Sequence, residues 1–234
     1  VYDDAHLGHA RSAVVFDILH RVFLANGYQV TMAKNFTDID DKIIKKMEQS
    51  GKSLEQITTY YIKRYKEDME KLQILPNTIE PYATQNIEAM EDMCKKLLQK
   101  KKAYILEDGV YLDTSKDPHY GTLSKRVSDE NSQARVVSNT QKKDQKDFAL
   151  WKFVPKDQLG YLTSFGYGRP GWHLECSAMI EKYLADHTHS FAIDIHGGGA
   201  DLLFPHHENE ACQTRCCTSQ ELSLIHISEP TRPY

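Results

Sequence analysis

Helix-like and strand-like periodicities alternate at both ends of this chain, and that alternation leaves few architectures open. From Arg11 to Ala25 the apolar residues Val14, Val15, Ile18, Leu19, Val22 and Phe23 recur at helical spacing, with Gly27 as a C-terminal stop. YQVTMAKNF then alternates as a strand, and a second helical pattern begins near Asp40. A third starts at Ser53, where Ser53-Leu54-Glu55-Gln56 fits a capping box, and ends before Pro76. Near the other end, GRPGWHLECSAMIEKYL reads as a loop feeding a helix and FAIDIHGGGADLLF as a strand ending in a glycine-rich turn. PHHENEACQTRCC reads as a helix with Pro205 in its first turn. Between the two ends lie an amphipathic helix over about residues 86–102 and a hairpin signal, Asp108-Gly109 within AYILEDGVYLD. The sum is an α/β fold, a parallel sheet interrupted by an insertion. The polar stretch from Thr114 to Lys146 is expected to be exposed and partly mobile, and DFALWKF resumes regular structure.

Composition narrows the class of protein. A 40% hydrophobic, 26% charged chain of 234 residues can bury a sizeable core. Its formal net charge of −4 advertises no global attraction for nucleic acid, so a polyanionic partner requires a local patch or a further part of the protein. Five cysteines, an odd number without regular spacing, fit a reducing cytoplasm better than a secreted disulfide framework. No apolar run is long enough to cross a bilayer, and no leader pattern opens the chain. The first residue is Val, which suggests a piece of a longer protein. The closing residues SLIHISEPTRPY match nothing before them, resemble read-through of a sequencing adapter and are expected to be non-native.

Three groups of residues could carry chemistry. His6 and His9 flank Leu7-Gly8 at the mouth of the first helix, where unpaired N–H groups and the helix dipole attract phosphate and Gly8 allows close approach. The plainer alternative is a pair of solvated or capping histidines. Cys176, His206 and Glu210 form the second group: a thiol, an imidazole and a carboxylate, the last two four apart on one helical face, are ordinary zinc ligands. Spacing equally allows a buried thiol with a surface His–Glu pair. Cys212, Cys216 and Cys217 have no CxxC spacing and read as packing thiols. The third group is the glycine run flanked by His196 and Asp201, at what the fold makes the end of a strand.

VYDDAHLGHARS, NFTDIDDKII, DFALWK, GRPGWHLECSAM and GGGADLLFPHHENE stand in the order found in cysteinyl-tRNA synthetases, which the chain resembles over roughly Val1 to Leu222. HLGH is similar to the class I synthetase signature HIGH, with Leu for Ile. The resemblance implies a Rossmann-like catalytic domain in two halves, residues 1–81 and 147–222, split by a connective α+β insertion over 82–146 and followed by a non-native tail, 223–234. It implies that His6, Gly8 and His9 bind ATP, His6 and His9 acting as catalytic donors while the cysteine carboxylate attacks the α-phosphorus and displaces pyrophosphate. The tRNA(Cys) 3′ end then takes the cysteinyl group. It implies zinc on Cys176, His206 and Glu210, with a fourth ligand from the family's CGPTVYD upstream of Val1, and Thr37, Trp172, His196 and Asp201 around the amino acid. Zinc, ATP with Mg2+, L-cysteine and tRNA(Cys) are the expected cofactor and partners of a cytoplasmic monomer with no membrane association. The KMSKS loop and the tRNA-reading helical region are not in the chain, so it is expected to be nearly inactive alone. Two other readings stand beside this one. One is the similar cysteine ligase of mycothiol synthesis, with an amino-sugar acceptor. The other is a non-catalytic zinc- or thiol-binding module, which leaves HLGH and HGGGAD unexplained. HHENE lacks the H-E-x-x-H order of zinc hydrolases.

Overall fold

The computed structural model describes residues 1–125 and 141–227. Residues 126–140 of the expected insertion and the last seven of the expected tail lie outside the described residues. The chain divides into two compact units, residues 1–86 with 197–200 and the segment from 225, and residues 87–196 with 201–224.

The first unit is built on three helices, α1 (Leu7–Ala25), α2 (Asp41–Ser50) and α3 (Leu54–Lys71). Each begins on a cap legible in the sequence. Asp40 Oδ1 accepts the Ile43 N–H at 2.7 Å, and Ser53 and Gln56 form the reciprocal box, with bonds of 3.2 and 2.9 Å. Gly27 and Gly51 stand just past α1 and α2 at φ +82° and +67°, where a side chain would be strained. The apolar stripe of α1 is not its buried face: Ala13, Asp17 and His20 are buried, whereas Ile18 is 56% exposed. Asp17 explains the inversion, since its carboxylate takes the Arg21 guanidinium at 2.7 Å and the Leu75 N–H at 2.8 Å, tying α1 to the chain leaving α3.

Of the parallel sheet expected from the sequence, the described residues show parallel bridges joining Ala33 with Ile79, Phe36 with Tyr82 and Phe191 with Glu221. The first two stay separate bridges. Ile79 N–H donates to Met32 O, Lys34 N–H to Ile79 O, Phe36 N–H to Pro81 O and Ala83 N–H to Phe36 O, at 3.1, 3.0, 2.9 and 3.1 Å. The bond that would join them into one ladder runs from residue 81 to Lys34 O. Residue 81 is proline and has no N–H to give.

The second unit carries a five-stranded antiparallel sheet in the order β1-β2-β3-β5-β4, from β1 (Ala103–Leu106), β2 (Gly109–Leu112), β3 (Phe148–Phe153), β4 (Tyr161–Thr163) and β5 (Gly166–Pro170). The hairpin strands β1 and β2 thus continue into β3 as one sheet. The hairpin turn is Glu107-Asp108, and Gly109 already pairs with Leu106. Its lack of a side chain serves a close approach instead of a turn, because a Cβ there would lie 2.2 Å from Trp151 O. Helices α4 (Ile87–Gln99), α5 (Trp172–Tyr183) and α6 (Glu208–Thr218) pack on one another, and α4 and α5 also meet the sheet. Met90, Cys94 and Leu97 of α4 are buried with Leu112, Leu150, Trp151 and Leu174.

Pro205 keeps its expected place in a first helical turn: Phe204 before it is extended (φ −138°, ψ 133°), as a residue preceding proline prefers, and the turn Leu203–His207 runs on into α6. One local expectation changes, for not all of the polar stretch from Thr114 is exposed: Thr114, Asp117 and Gly121 are buried. Asp147 explains part of this, its carboxylate accepting the Thr114 N–H and hydroxyl at 2.8 Å each and the Tyr104 hydroxyl at 2.6 Å. β6 (His196–Gly199) pairs with β7 (Leu224–Ile227), the latter drawn from the segment read as a tail. None of the five cysteines is in a disulfide, and all are buried.

Candidate functional site

The HLGH segment forms the N-terminus of α1, and its histidines cap the helix. His6 is the N-cap: its Nδ1 accepts the Gly8 N–H at 3.1 Å, while its own N–H donates to His9 Nδ1 at 3.2 Å, a capping box built from two imidazoles. The rings stack with centroids 3.8 Å apart. Gly8 is required for this, since a Cβ on it would lie 3.0 Å from His6 Cε1. The cap has a chemical consequence. With Nδ1 of each ring accepting, a neutral imidazole carries its proton on Nε2, at an exposed helix mouth. Capping and anion binding, posed as alternatives by the sequence, are compatible in one geometry.

In the second unit, Cys176 in the second turn of α5 meets His206 and Glu210 around the start of α6. Cys176 Sγ lies 3.7 Å from His206 Nε2, which lies 3.5 Å from Glu210 Oε1. A tetrahedral zinc with bonds of about 2.3 Å to sulfur and about 2.0–2.1 Å to nitrogen and oxygen sets neighbouring ligand atoms about 3.3–3.6 Å apart. A second group of three shares Glu210, with His196 and His207. Its His196 Nε2 to Glu210 Oε2 distance is 2.9 Å, a hydrogen bond and not the edge of a coordination polyhedron. His196 thus orients the carboxylate, and Oε1 is the oxygen turned towards Cys176 and His206.

Glu210 is 0% exposed and its Oε1 has no hydrogen-bond partner. Burial opposes its ionisation, yet the neighbouring His196, His206 and His207 rings and the bond from His196 outweigh burial and hold its carboxyl down to about 2. A buried anion with one bare oxygen calls for a cation, so the donor set fits zinc. Two neighbours prepare His206. Trp172, 47% exposed at the first position of α5, stacks on it with centroids 4.3 Å apart. His173 Nδ1 lies 2.9 Å from His206 Nδ1, so one of the two must donate. Burial, with the adjacent His206, pulls His173 down to about 3 and keeps it neutral. The tautomer with the shared proton on His206 Nδ1 is the one that leaves the Nε2 lone pair towards Cys176 and Glu210.

Of the residues carried over from the sequence, Cys176, His206, Glu210, His196 and Trp172 are thus brought together, and His6, Gly8 and His9 form a separate group. Asp201 is exposed in the 3-10 turn Ala200–Leu202 before α6; burial lowers the proton affinity of His206, and the Asp201 charge opposes this without reversing it. Thr37 is half-buried between the Phe36 bridge and the buried Asp38, whose carboxylate accepts the Thr84 N–H at 2.8 Å. Gly197 has a packing role, since a Cβ there would lie 2.3 Å from Phe16 Cε1. Sequence reasoning missed His173 and His207. Each stands three residues before a candidate ligand, on the same helical face, and that spacing was the available signal. The two glutamates of HHENE also part ways: Glu208, equally buried, spends both oxygens on the N–H groups of Gly121 and Ser124, at 2.9 and 2.8 Å.

The capped HLGH mouth and the Cys–His–Glu cluster are the groups that the resemblance to a class I aminoacyl-tRNA synthetase catalytic domain leads one to expect. The sequence profile described as tRNA synthetases class I (C) catalytic domain matches residues 1–229, and the chain belongs to that family. It is 62% identical over 223 residues to the cysteine–tRNA ligase of Aliarcobacter butzleri, covering 95% of this chain and 48% of the relative. To the cysteine–tRNA ligases of a Nitratiruptor species and a Sulfurovum species it is 60% and 57% identical over 225 residues, with the same coverage. The chain spans about half the length of these curated relatives. In fold it is similar to a crystal structure assigned as an arginyl-tRNA synthetase from Campylobacter jejuni, with a TM-score of 0.61 at 15% identity, covering 97% of this chain and 53% of that one. No described helix is long and apolar enough to cross a membrane.

Proposed function

We propose that the protein containing this chain activates L-cysteine with ATP and transfers the cysteinyl group to tRNA(Cys), acting as a cytoplasmic monomer. The observation that carries the reading is the Cys176–His206–Glu210 cluster with its bare, buried Glu210 Oε1. A cluster of this composition suits an amino acid whose side chain is itself a metal ligand. When bound, zinc would take the substrate thiolate and so favour sulfur over the oxygen of serine. Size alone cannot do this, since a pocket separates near-isosteres by only about 1–3 kcal/mol.

The chain's own residues then divide the work. Cys176, His206 and Glu210 would hold the metal, His196 fixes the Glu210 carboxylate, and His173 braces the His206 ring through its Nδ1. Trp172, His196 and Asp201 are the second unit's contacts to the amino acid. In the first step a carboxylate oxygen of cysteine attacks the α-phosphorus of ATP, held with Mg2+; the bond to the bridging oxygen breaks and pyrophosphate departs. His6 and His9 stand at the positive end of α1, and Gly8 keeps the backbone approachable, so charge gathering on the phosphoryl oxygens meets a fixed favourable field. In the second step a hydroxyl at the tRNA 3′ end attacks the activated carbonyl and AMP leaves. Cysteine-dependent ATP–pyrophosphate exchange by the full-length protein tests the proposal, with serine as competitor. Exchange supported equally by serine, or none with cysteine, would sink it.

A further inference from the structure

Helix α6 has two working faces. One bears Glu210 towards the metal cluster and Gln213, whose amide N–H reaches the His173 carbonyl of α5 at 3.0 Å. The other is covered by a strap, residues 117–125, stapled along its length. Arg215 holds the Asp117 carboxylate through Nε and Nη2 at 3.0 and 2.7 Å, Tyr120 O–H donates to Asn209 Oδ1 at 2.8 Å, and Glu208 accepts the Gly121 and Ser124 N–H groups. Positions 208 and 215 are seven apart and so share a stripe of the helix.

From this we infer that Glu208 is a positioning residue for the metal cluster, setting the place of α6 through the strap without touching the ion. The physical ground is that Glu208 is 0% exposed and lies between His206 and Glu210 in the chain, so the backbone that aims both ligands is the backbone its carboxylate anchors. Its two oxygens accept two backbone donors that cannot swing away. A glutamine in its place keeps one acceptor and turns an N–H donor against a second N–H donor. That conflict is relieved only by moving the strap or the first turn of α6. The Cys176–His206–Glu210 distances tolerate little such movement, because metal affinity depends on ligand geometry and its supporting shell, with losses of about 10–100-fold when support is removed.

The inference rests on the proposed zinc-dependent reading, and the test separates the two. In the full-length protein, the zinc dissociation constant would be measured by competition with a chromophoric chelator, and KM determined separately for cysteine and ATP, in the parent, Glu208→Gln and Tyr120→Phe. Expected for Glu208→Gln is a rise of about tenfold or more in both the zinc constant and the cysteine KM, with the ATP KM within about twofold of the parent. Tyr120→Phe, which removes one staple by a single hydroxyl, should move zinc and cysteine in the same direction by about two- to threefold. A folded Glu208→Gln protein that holds zinc as the parent does overturns the inference. Should Glu208→Gln not fold, Tyr120→Phe with unchanged zinc affinity overturns it equally. A parent that binds no zinc overturns the proposed function, and this inference with it.

Discussion

Replacing Cys176 by serine tests the metal cluster by subtracting one sulfur atom's chemistry while leaving its volume nearly filled. Cys176 is 8% exposed, and its Sγ is 3.7 Å from His206 Nε2, which a hydroxyl can still face. The metal-free fold should therefore lose little. Zinc binding should lose much more. A four-ligand structural site is worth about 10–16 kcal/mol, or about 3–4 kcal/mol per ligand, and each factor of ten in affinity costs about 1.4 kcal/mol. Losing the thiolate thus weakens zinc by about two to three decades, since neutral serine is a far poorer ligand. Chelator competition on the full-length protein reads the affinity directly. Substitution with Co2+ adds a signature, because the sulfur-to-metal charge-transfer band contributed by Cys176 should disappear. The preference for cysteine over serine in pyrophosphate exchange should fall with it. A Cys176→Ser protein that retains zinc within about threefold of the parent, with cysteine still preferred, would refute the assignment of this cluster as the origin of selectivity.

Three further outcomes follow from the geometry. His6→Asn should keep the helix cap, asparagine being a strong N-cap, yet slow pyrophosphate exchange by about 10²-fold, whereas His6→Ala should also cost about 1 kcal/mol in urea denaturation; equal stability of the two would contradict the capping role. Gly171→Ala would set a Cβ 2.0 Å from Ala149 O, a backbone atom with nowhere to go, so a stability loss of about 1–3 kcal/mol and weaker zinc binding through a displaced α5 are expected from thermal melts and chelator titration. Glu91 is held down to about 2 by its hydrogen bond with Lys95, helped by the Ser164 N–H at 2.9 Å. Its folded value lies below the ordinary 4.5, so its stabilisation is complete above that pH and drains away as pH falls towards 2; Glu91→Gln should flatten this acid limb of urea midpoint against pH, and an unchanged limb would show the anchor to be idle.

The amino-acid order alone was enough for several contacts between residues within about four positions of each other. The cap at Ser53, the stop at Gly27 and the helical face joining His206 to Glu210 are closed inside one turn, so their spacing is their geometry. The quoted motifs likewise identified the family, because their order survives any arrangement in space. What surrounds a residue from a distant part of the chain was settled only on folding. Asp17 is buried while Ile18 is exposed because Arg21 and the chain at Leu75 meet the polar side of α1. The strand pairing over residues 32–36 and 78–83 breaks because Pro81 falls opposite Lys34, a register no local pattern contains. Glu208 and Glu210 look alike in HHENE, yet the strap satisfies the first while the second keeps a bare oxygen beside Cys176 and His206. A carboxylate's role follows from which donors reach it: those of Glu208 sit 87 and 84 residues away in the chain, that of Glu210 14.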